Sequence, residues 1–237
     1  MRRTRRRTAT WTLCCGQRPL LRSGLHCLLF FLSLFPLPFI LLLFTHDRHK
    51  SERRKGGKDI PYINHPIEVA AVLSAAGVTD AEVLAAALLH DTLEDTETTA
   101  AELEAHFGAR VRRIVQQCTD DKTQPYLARK RAQIAHAPLL PDDARCVKLA
   151  DKIANVRSTL VPGGAAWSAE VTQGYAAWAR AVCAGLRGAN AQLDAAADAL
   201  WGQSFTLADG SVHPLTPPGM TQAEVLEHYY AIKTTSY

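Results

Sequence analysis

Apolar residues recur every three or four positions through most of the chain beyond residue 60, and alternating strand patterns are nearly absent. A helix opens near His65 in PYINHPIEVA, just before Pro66. Thr79-Asp80-Ala81-Glu82 reads as a capping box, with Glu82 three residues after Thr79. The helix it opens carries Val83, Leu84, Ala87 and Leu88 on one face. Thr99-Ala100-Ala101-Glu102 opens another, with Leu103 and Phe107, and Gly108 stops it. A further pattern starts near Ala109 with Val111, Ile114 and Val115, and the next covers roughly Asp143–Val156. Two more follow, Ala169–Leu186 and Asn190–Trp201, split by Gly188. The fold class is therefore all-α, a packed helical bundle. Beyond Trp201, FTLADGSVHPL holds an Asp209-Gly210 turn signal that fits a small hairpin. A last capping box, Thr221–Glu224, starts a short helix ending near Ile232. The division expected is a leader over 1–45, a helical body over 46–203 and a tail over 204–237. The tail reads as a packing or targeting appendage.

The leader has a different pattern. Residues 28–44, LLFFLSLFPLPFILLLF, form a run of 17 broken only by Ser33. That is close to the lower limit of ~17 residues for a membrane-spanning helix. Arg-Arg-Thr-Arg-Arg-Arg at positions 2–7 precedes it, which suits a signal-anchor with a cytoplasmic N-terminus. Pro36 and Pro38 lie within the run, and no small-x-small cleavage site follows it. An Arg-rich, acid-free leader also fits an organelle transit peptide, or a translated stretch that the working protein lacks. The compartment stays open between cytoplasm, organelle and a membrane contact through residues 28–44.

Composition changes this picture in two ways. With 47% hydrophobic and 21% charged residues in 237, the chain is neither disordered, collagen-like nor a multi-span membrane protein. Charge divides it: residues 1–60 hold 13 Lys/Arg against 3 Asp/Glu, and residues 61–237 hold 14 against 20. An acidic body argues against nucleic acid as partner, since phosphate binding needs a basic footprint on the fold. Of six cysteines, Cys14, Cys15 and Cys27 lie in the leader, and Cys118, Cys146 and Cys183 are scattered through the body. That is neither a disulfide framework nor a cysteine zinc site.

Candidate chemistry gathers at a few positions. His90 and Asp91 end the apolar stretch in LAAALLHDTLED, and such a pair is costly to bury unless a metal or partner receives it. Glu94 lies four residues after His90 and Asp95 four after Asp91, about one helical turn away. Asp151 interrupts an apolar face in VKLADKIAN, with Asn155 four residues on. Together with His65, two His and two Asp form a mixed N/O ligand set suited to a divalent metal of the Mn, Fe or Zn kind. Glu94 and Asp95 would then orient a metal-bound water or move its proton. His106, His136, His213 and His228 each stand alone and read as structural or solvated. Arg54 and Lys55, in RRKGGK, read from composition as a solvated charge run.

The H…HD…D order of His65, His90-Asp91 and Asp151 resembles the HD-domain metal-dependent phosphohydrolases. PYINHP, ALLHDTLEDT, HFGARVRRIV, TDDKT, ARKRAQ and VKLADKIANVR narrow the resemblance to the hydrolase domain of the Rel/SpoT family, above all its small stand-alone animal form. It runs from about Arg53 to about Trp201. It implies an HD-domain bundle whose metal ligands are His65, His90, Asp91 and Asp151, with Mn²⁺ as the usual cofactor. Glu94 and Asp95 fall on the family's catalytic acidic pair. Arg54, Lys55 and Asn155 fall on its substrate-binding positions. The implied reaction is removal of pyrophosphate from the 3′ position of guanosine tetraphosphate (ppGpp), leaving GDP. Nothing the size of a synthetase domain follows Trp201, so no ppGpp synthesis is expected. The family normally begins with an amphipathic helix just before its Arg-Arg-Lys motif. Here the apolar run and THDRHKSE stand in that place, and without the helix one wall of the site would be uncovered.

Two other functions compete. Fold and ligands do not fix the substrate, so an HD phosphatase acting on NADPH or another nucleotide is the first. A membrane-anchored scaffold with weak catalysis is the second, although six polar groups facing inward serve a scaffold no purpose. The partner expected is a small nucleotide, and the oligomeric state is left open.

Overall fold

The computed structural model describes residues 36–54, 60–161 and 167–235, with the side chains of its first helix from residue 40 on. Residues 1–35, which carry most of the leader, and Lys55 lie outside them. The helices are α1 (Pro36–Arg48), α2 (Asn64–Ala75), α3 (Ala81–Leu89), α4 (Thr92–Asp95), α5 (Ala100–Phe107), α6 (Ala109–Cys118), α7 (Tyr126–His136), α8 (Asp142–Leu160), α9 (Ala169–Leu186), α10 (Ala191–Asp198) and α11 (Gln222–Thr235). A 3₁₀ turn, Ala137–Leu139, joins α7 to α8. β1 (Ser204–Thr206) and β2 (Val212–Pro214) pair antiparallel across Asp209-Gly210, where Gly210 takes a φ of 86°.

The long helix α8 is the axis of the bundle. It packs against α2, α3, α6, α9 and α10. A helix enclosed on most sides normally has no charged residues inside. This one buries Lys148, Asp151 and Lys152 among Val147, Leu149, Ile153 and Val156, so each charge needs a local partner. Those partners form the site described below. Cys118, Cys146 and Cys183 are buried free thiols, and burial pushes them up to about 11, about 11 and about 12.

The helical reading of the chain holds, with local differences. The cap of α3 is Asp80 and not Thr79: its carboxylate accepts from Glu82 N at 2.9 Å and Val83 N at 3.4 Å. Thr99 caps α5 as expected. Helix α3 stops at Leu89, and LLHDTLED turns at His90 and Asp91 before the single turn of α4. Helix α7 carries little apolar pattern: none of its residues is fully buried, and only Leu127 and Ile134 pack partly against the core.

The wall in front of the Arg-Arg-Lys motif is covered. Helix α1 inserts Leu41, 2% exposed, into the core, and Thr45 Oγ1 donates to Leu88 O at 3.2 Å. Phe44 meets Phe107 edge-on at 5.2 Å, and Arg48 pairs with Glu102. The described part of the apolar run is therefore a packed helix whose outer side bears Ile40 and Leu43. No helix among the described residues is long and apolar enough to cross a membrane. Residues 28–35 of the run lie outside them.

Candidate active site

His65 sits in the first turn of α2, where Pro66 lacks only an N–H that would have no helical partner. Its Nε2 lies 3.0 Å from Asp151 Oδ1 and 3.6 Å from Asp91 Oδ2. His90, at the end of α3, donates from Nδ1 to Ala87 O at 2.8 Å, which fixes the ring and aims Nε2 at the same point. That nitrogen is 3.0 Å from Asp91 Oδ2 and 3.7 Å from Asp151 Oδ1. The turn at His90 and Asp91 explains how adjacent residues on an apolar helix both face inward. Four residues from three segments thus converge on one point, as the spacing of His65, His90-Asp91 and Asp151 suggests.

The electrostatics are those of a compact charged cluster. Burial drives His65 below its ordinary value, although Asp151 favours the charged ring. His90 is equally buried, yet the adjacent Asp91 carboxylate and Asp151 hold it well above that value. Burial would raise Asp91 and Asp151, but the imidazoles, with Lys152 beside Asp151, hold both carboxyls low. His90 Nε2 is buried and has no hydrogen-bond partner. Ligand atoms of His65, His90 and Asp151 lie within 4.8 Å of one another. An imidazole nitrogen set against carboxylate oxygens with no aligned hydrogen bond is a donor set that suits a divalent cation. These residues fit a metal.

Glu94 and Asp95, on α4, sit beside this cluster; Glu94 is half-buried and Asp95 is exposed. Glu94 Oε2 accepts from Asp120 N at 3.0 Å, and Arg129 Nη1 stands 3.8 Å from its other oxygen. Burial raises the Glu94 carboxyl, and the Asp120 and Asp91 carboxylates add to the effect. Asp95 pairs with Lys122. Arg54 Nη2 donates to Asn155 Oδ1 at 3.1 Å and Ser158 Oγ at 3.2 Å, and Asn155 Nδ2 donates on to Asp151 Oδ1. A chain of contacts therefore runs from Arg54 at the rim to Asp151 at the centre. Lys55 lies outside the described residues.

Sequence reasoning missed several neighbours. Tyr62 Oη donates to Asp91 Oδ2, and Lys152 Nζ donates to Asp151 Oδ2 at 2.8 Å. Lys148 Nζ donates to Cys118 O at 2.8 Å and lies 3.8 Å from Asp120 Oδ1. The signal was present in VKLADKIAN, since Lys148 and Lys152 fall at helical spacing on the buried side with Leu149. Tyr62 precedes His65 by three residues in a bend, and no periodicity marks it.

Residues 42–184 match the HD-domain family. The chain belongs to that family. Among HD-domain relatives, the human guanosine-3′,5′-bis(diphosphate) 3′-pyrophosphohydrolase MESH1 is 51% identical over 163 residues, 68% of this chain and 90% of the relative. The Drosophila melanogaster protein of the same name is 41% identical over 163 residues, 68% of this chain and 91% of the relative. A solved structure, described as a metazoan ortholog of SpoT that hydrolyzes ppGpp, superposes with a TM-score of 0.66 at 39% identity. It covers 69% of this chain and 92% of its own. The expected kinship with the small animal Rel/SpoT hydrolases is thereby shown.

Proposed function

We propose that this HD-domain protein hydrolyses ppGpp at its 3′ position to GDP and pyrophosphate. The observation that carries the reading is the convergence of His65, His90, Asp91 and Asp151 with Glu94 beside them, in a chain half identical to the human ppGpp pyrophosphohydrolase. His65, His90, Asp91 and Asp151 would hold one divalent cation, which we assign as Mn²⁺. When bound, such an ion activates water and polarises a phosphoryl oxygen. The remaining roles fall to side chains. Glu94, with its carboxyl raised by burial, takes the proton of the attacking water, while Asp95 orients that water. The water oxygen bonds to phosphorus, the bond from phosphorus to the ribose 3′ oxygen breaks, and that oxygen takes a proton from solvent, to which Glu94 returns the one it took. Asn155 keeps Asp151 aligned, and Arg54 at the rim receives phosphate or stacks on the base, with Lys55 adding a point charge.

The test measures turnover of ppGpp beside NADPH, with metal content by elemental analysis, for the wild type and Asp91→Ala. The expected outcome is GDP and pyrophosphate from ppGpp, and loss of metal and turnover together in the variant. Faster phosphate release from NADPH would reassign the substrate. Full ppGpp turnover by metal-free Asp91→Ala would overturn the metal assignment, and a wild type inert on both nucleotides would leave the scaffold reading.

A further inference from the structure

Helix α7 carries charge to the site on a slight core anchor, the partly buried Leu127 and Ile134. None of its residues is fully buried, yet it presents Arg129 to Glu94 at 3.8 Å. It also holds Lys130, whose Nζ lies 3.3 Å from the Trp178 ring centre and 5.4 Å from that of Tyr175. Lys152, which donates to Asp151, reaches the same Trp178 ring at 5.0 Å. Its apolar contact is slight, with Leu127 and Ile134 only partly buried against the core, so contacts along its edges add to what fixes its position.

Two edge contacts come from the C-terminal helix. Tyr229 of α11, 1% exposed, shares a hydroxyl–hydroxyl hydrogen bond of 2.8 Å with Tyr126 at the start of α7. The Arg131 guanidinium lies 4.7 Å over the Tyr230 ring. Helix α11 is in turn seated closely on α9. A Cβ placed on Gly174 would stand 2.4 Å from Tyr229 Cβ, nearer than any side chain tolerates, so Gly174 leaves the space that Tyr229 fills. Gln222 Nε2 donates to Ala177 O at 3.1 Å and secures the other end of this contact. Both α11 and the hairpin lie beyond residue 184, where the family match stops.

The geometry points to α11 as a brace added to the HD domain, in which Tyr229 is a positioning residue: seated on α9 at Gly174, it holds Tyr126, and through α7 it holds Arg129 beside Glu94 at the polyanion site. The catalytic part of this inference rests on the proposed function. The positional part does not, because it concerns only how α7 is held.

The experiment uses the full chain with Tyr229→Phe, Tyr126→Phe and the double variant. Each single change deletes one hydroxyl and leaves its ring in place. Hydrogen exchange, read by mass spectrometry on peptides from α7, needs no substrate. Loss of one neutral hydrogen bond should speed exchange there and raise the KM for ppGpp by roughly twofold to tenfold. Metal content and kcat should stay near wild type. The double variant should be no worse than either single one, since both remove the same bond. Gly174→Ala, which forces α11 off α9, should produce the same pair of effects more strongly. Unchanged α7 exchange in Tyr229→Phe, an unchanged KM in an active enzyme, or fully additive single effects would overturn the brace. A wild type without ppGpp turnover would overturn the proposed function instead, and exchange in α7 would still decide whether α11 holds that helix.

Discussion

Asp151 occupies a crowded position: it faces both His65 and His90, and accepts from Lys152 and Asn155. Two buried lysines, Lys152 beside Asp151 and Lys148 near Asp120, would be a liability in an ordinary core, where an unmatched charge is costly. Here they offset the acidic cluster. Glu94 differs in kind, because its oxygens meet a backbone N–H and the distant Arg129 guanidinium. Glu94→Gln keeps shape and hydrogen bonding but cannot take a proton. It should retain metal while kcat falls by about 10²–10⁴-fold. The check is kcat beside metal stoichiometry, and equal loss of both would place Glu94 among the ligands. The convergence of the proposed ligand residues is legible in the sequence because polar groups interrupt apolar faces at His90, Asp91 and Asp151. Tyr62 and the contact from Arg54 to Asn155 are not, since they depend on a bend and on residues a hundred positions apart.

Among the elements, α3 shows how a short helix is fixed at both ends. Its interior, Val83 through Leu89, is buried throughout, so its start and stop decide where His90 emerges. Asp80 fixes the start, with two backbone donors and Arg110 Nη1 at 2.8 Å. Replacing a cap of this kind by Ala typically costs about 1 kcal/mol. Arg110 and the two backbone donors lower the Asp80 carboxyl below its ordinary 3.8, outweighing slight burial. Its contribution is therefore full above that value and is lost as pH falls through the lower folded one. Asp80→Ala should accordingly be less stable than wild type in urea at pH 7, and the gap should narrow below about pH 4. A gap that grows in acid would contradict the assignment. Periodicity located this helix but placed the cap at Thr79, because Thr79 and Asp80 are both good caps and only the backbone angle separates them. Helix α7 gives a weaker signal, because only Leu127 and Ile134 reach the core and its other contacts are rings and charges along its edges.

For the whole molecule, the composition boundary and the packing boundary do not coincide. Acid-free sequence ends at residue 46, yet Leu41 and Thr45 already belong to the packed body. An apolar run reads the same whether its partner is lipid or a helix surface, and only α3 and Phe107 settle the matter for residues 40–44. Leu41→Ala should lower the unfolding free energy by roughly 2–5 kcal/mol. A chain begun at residue 46 should lose at least as much, measured by denaturant titration against a chain begun at 36. Equal stability of those two chains would show that α1 contributes nothing to the body. The thiols bear on how such openings can be followed. Only a thiolate attacks an alkylating reagent, and at pH 8 a thiol held near 12 is ionised to about one part in ten thousand. Cys183, buried on α9 near Asp151 and Lys152 of the axis, is thus silent while the fold is closed and reactive once it opens. Iodoacetamide labelling of that one peptide is a clock already built into the protein, and it needs no engineered probe.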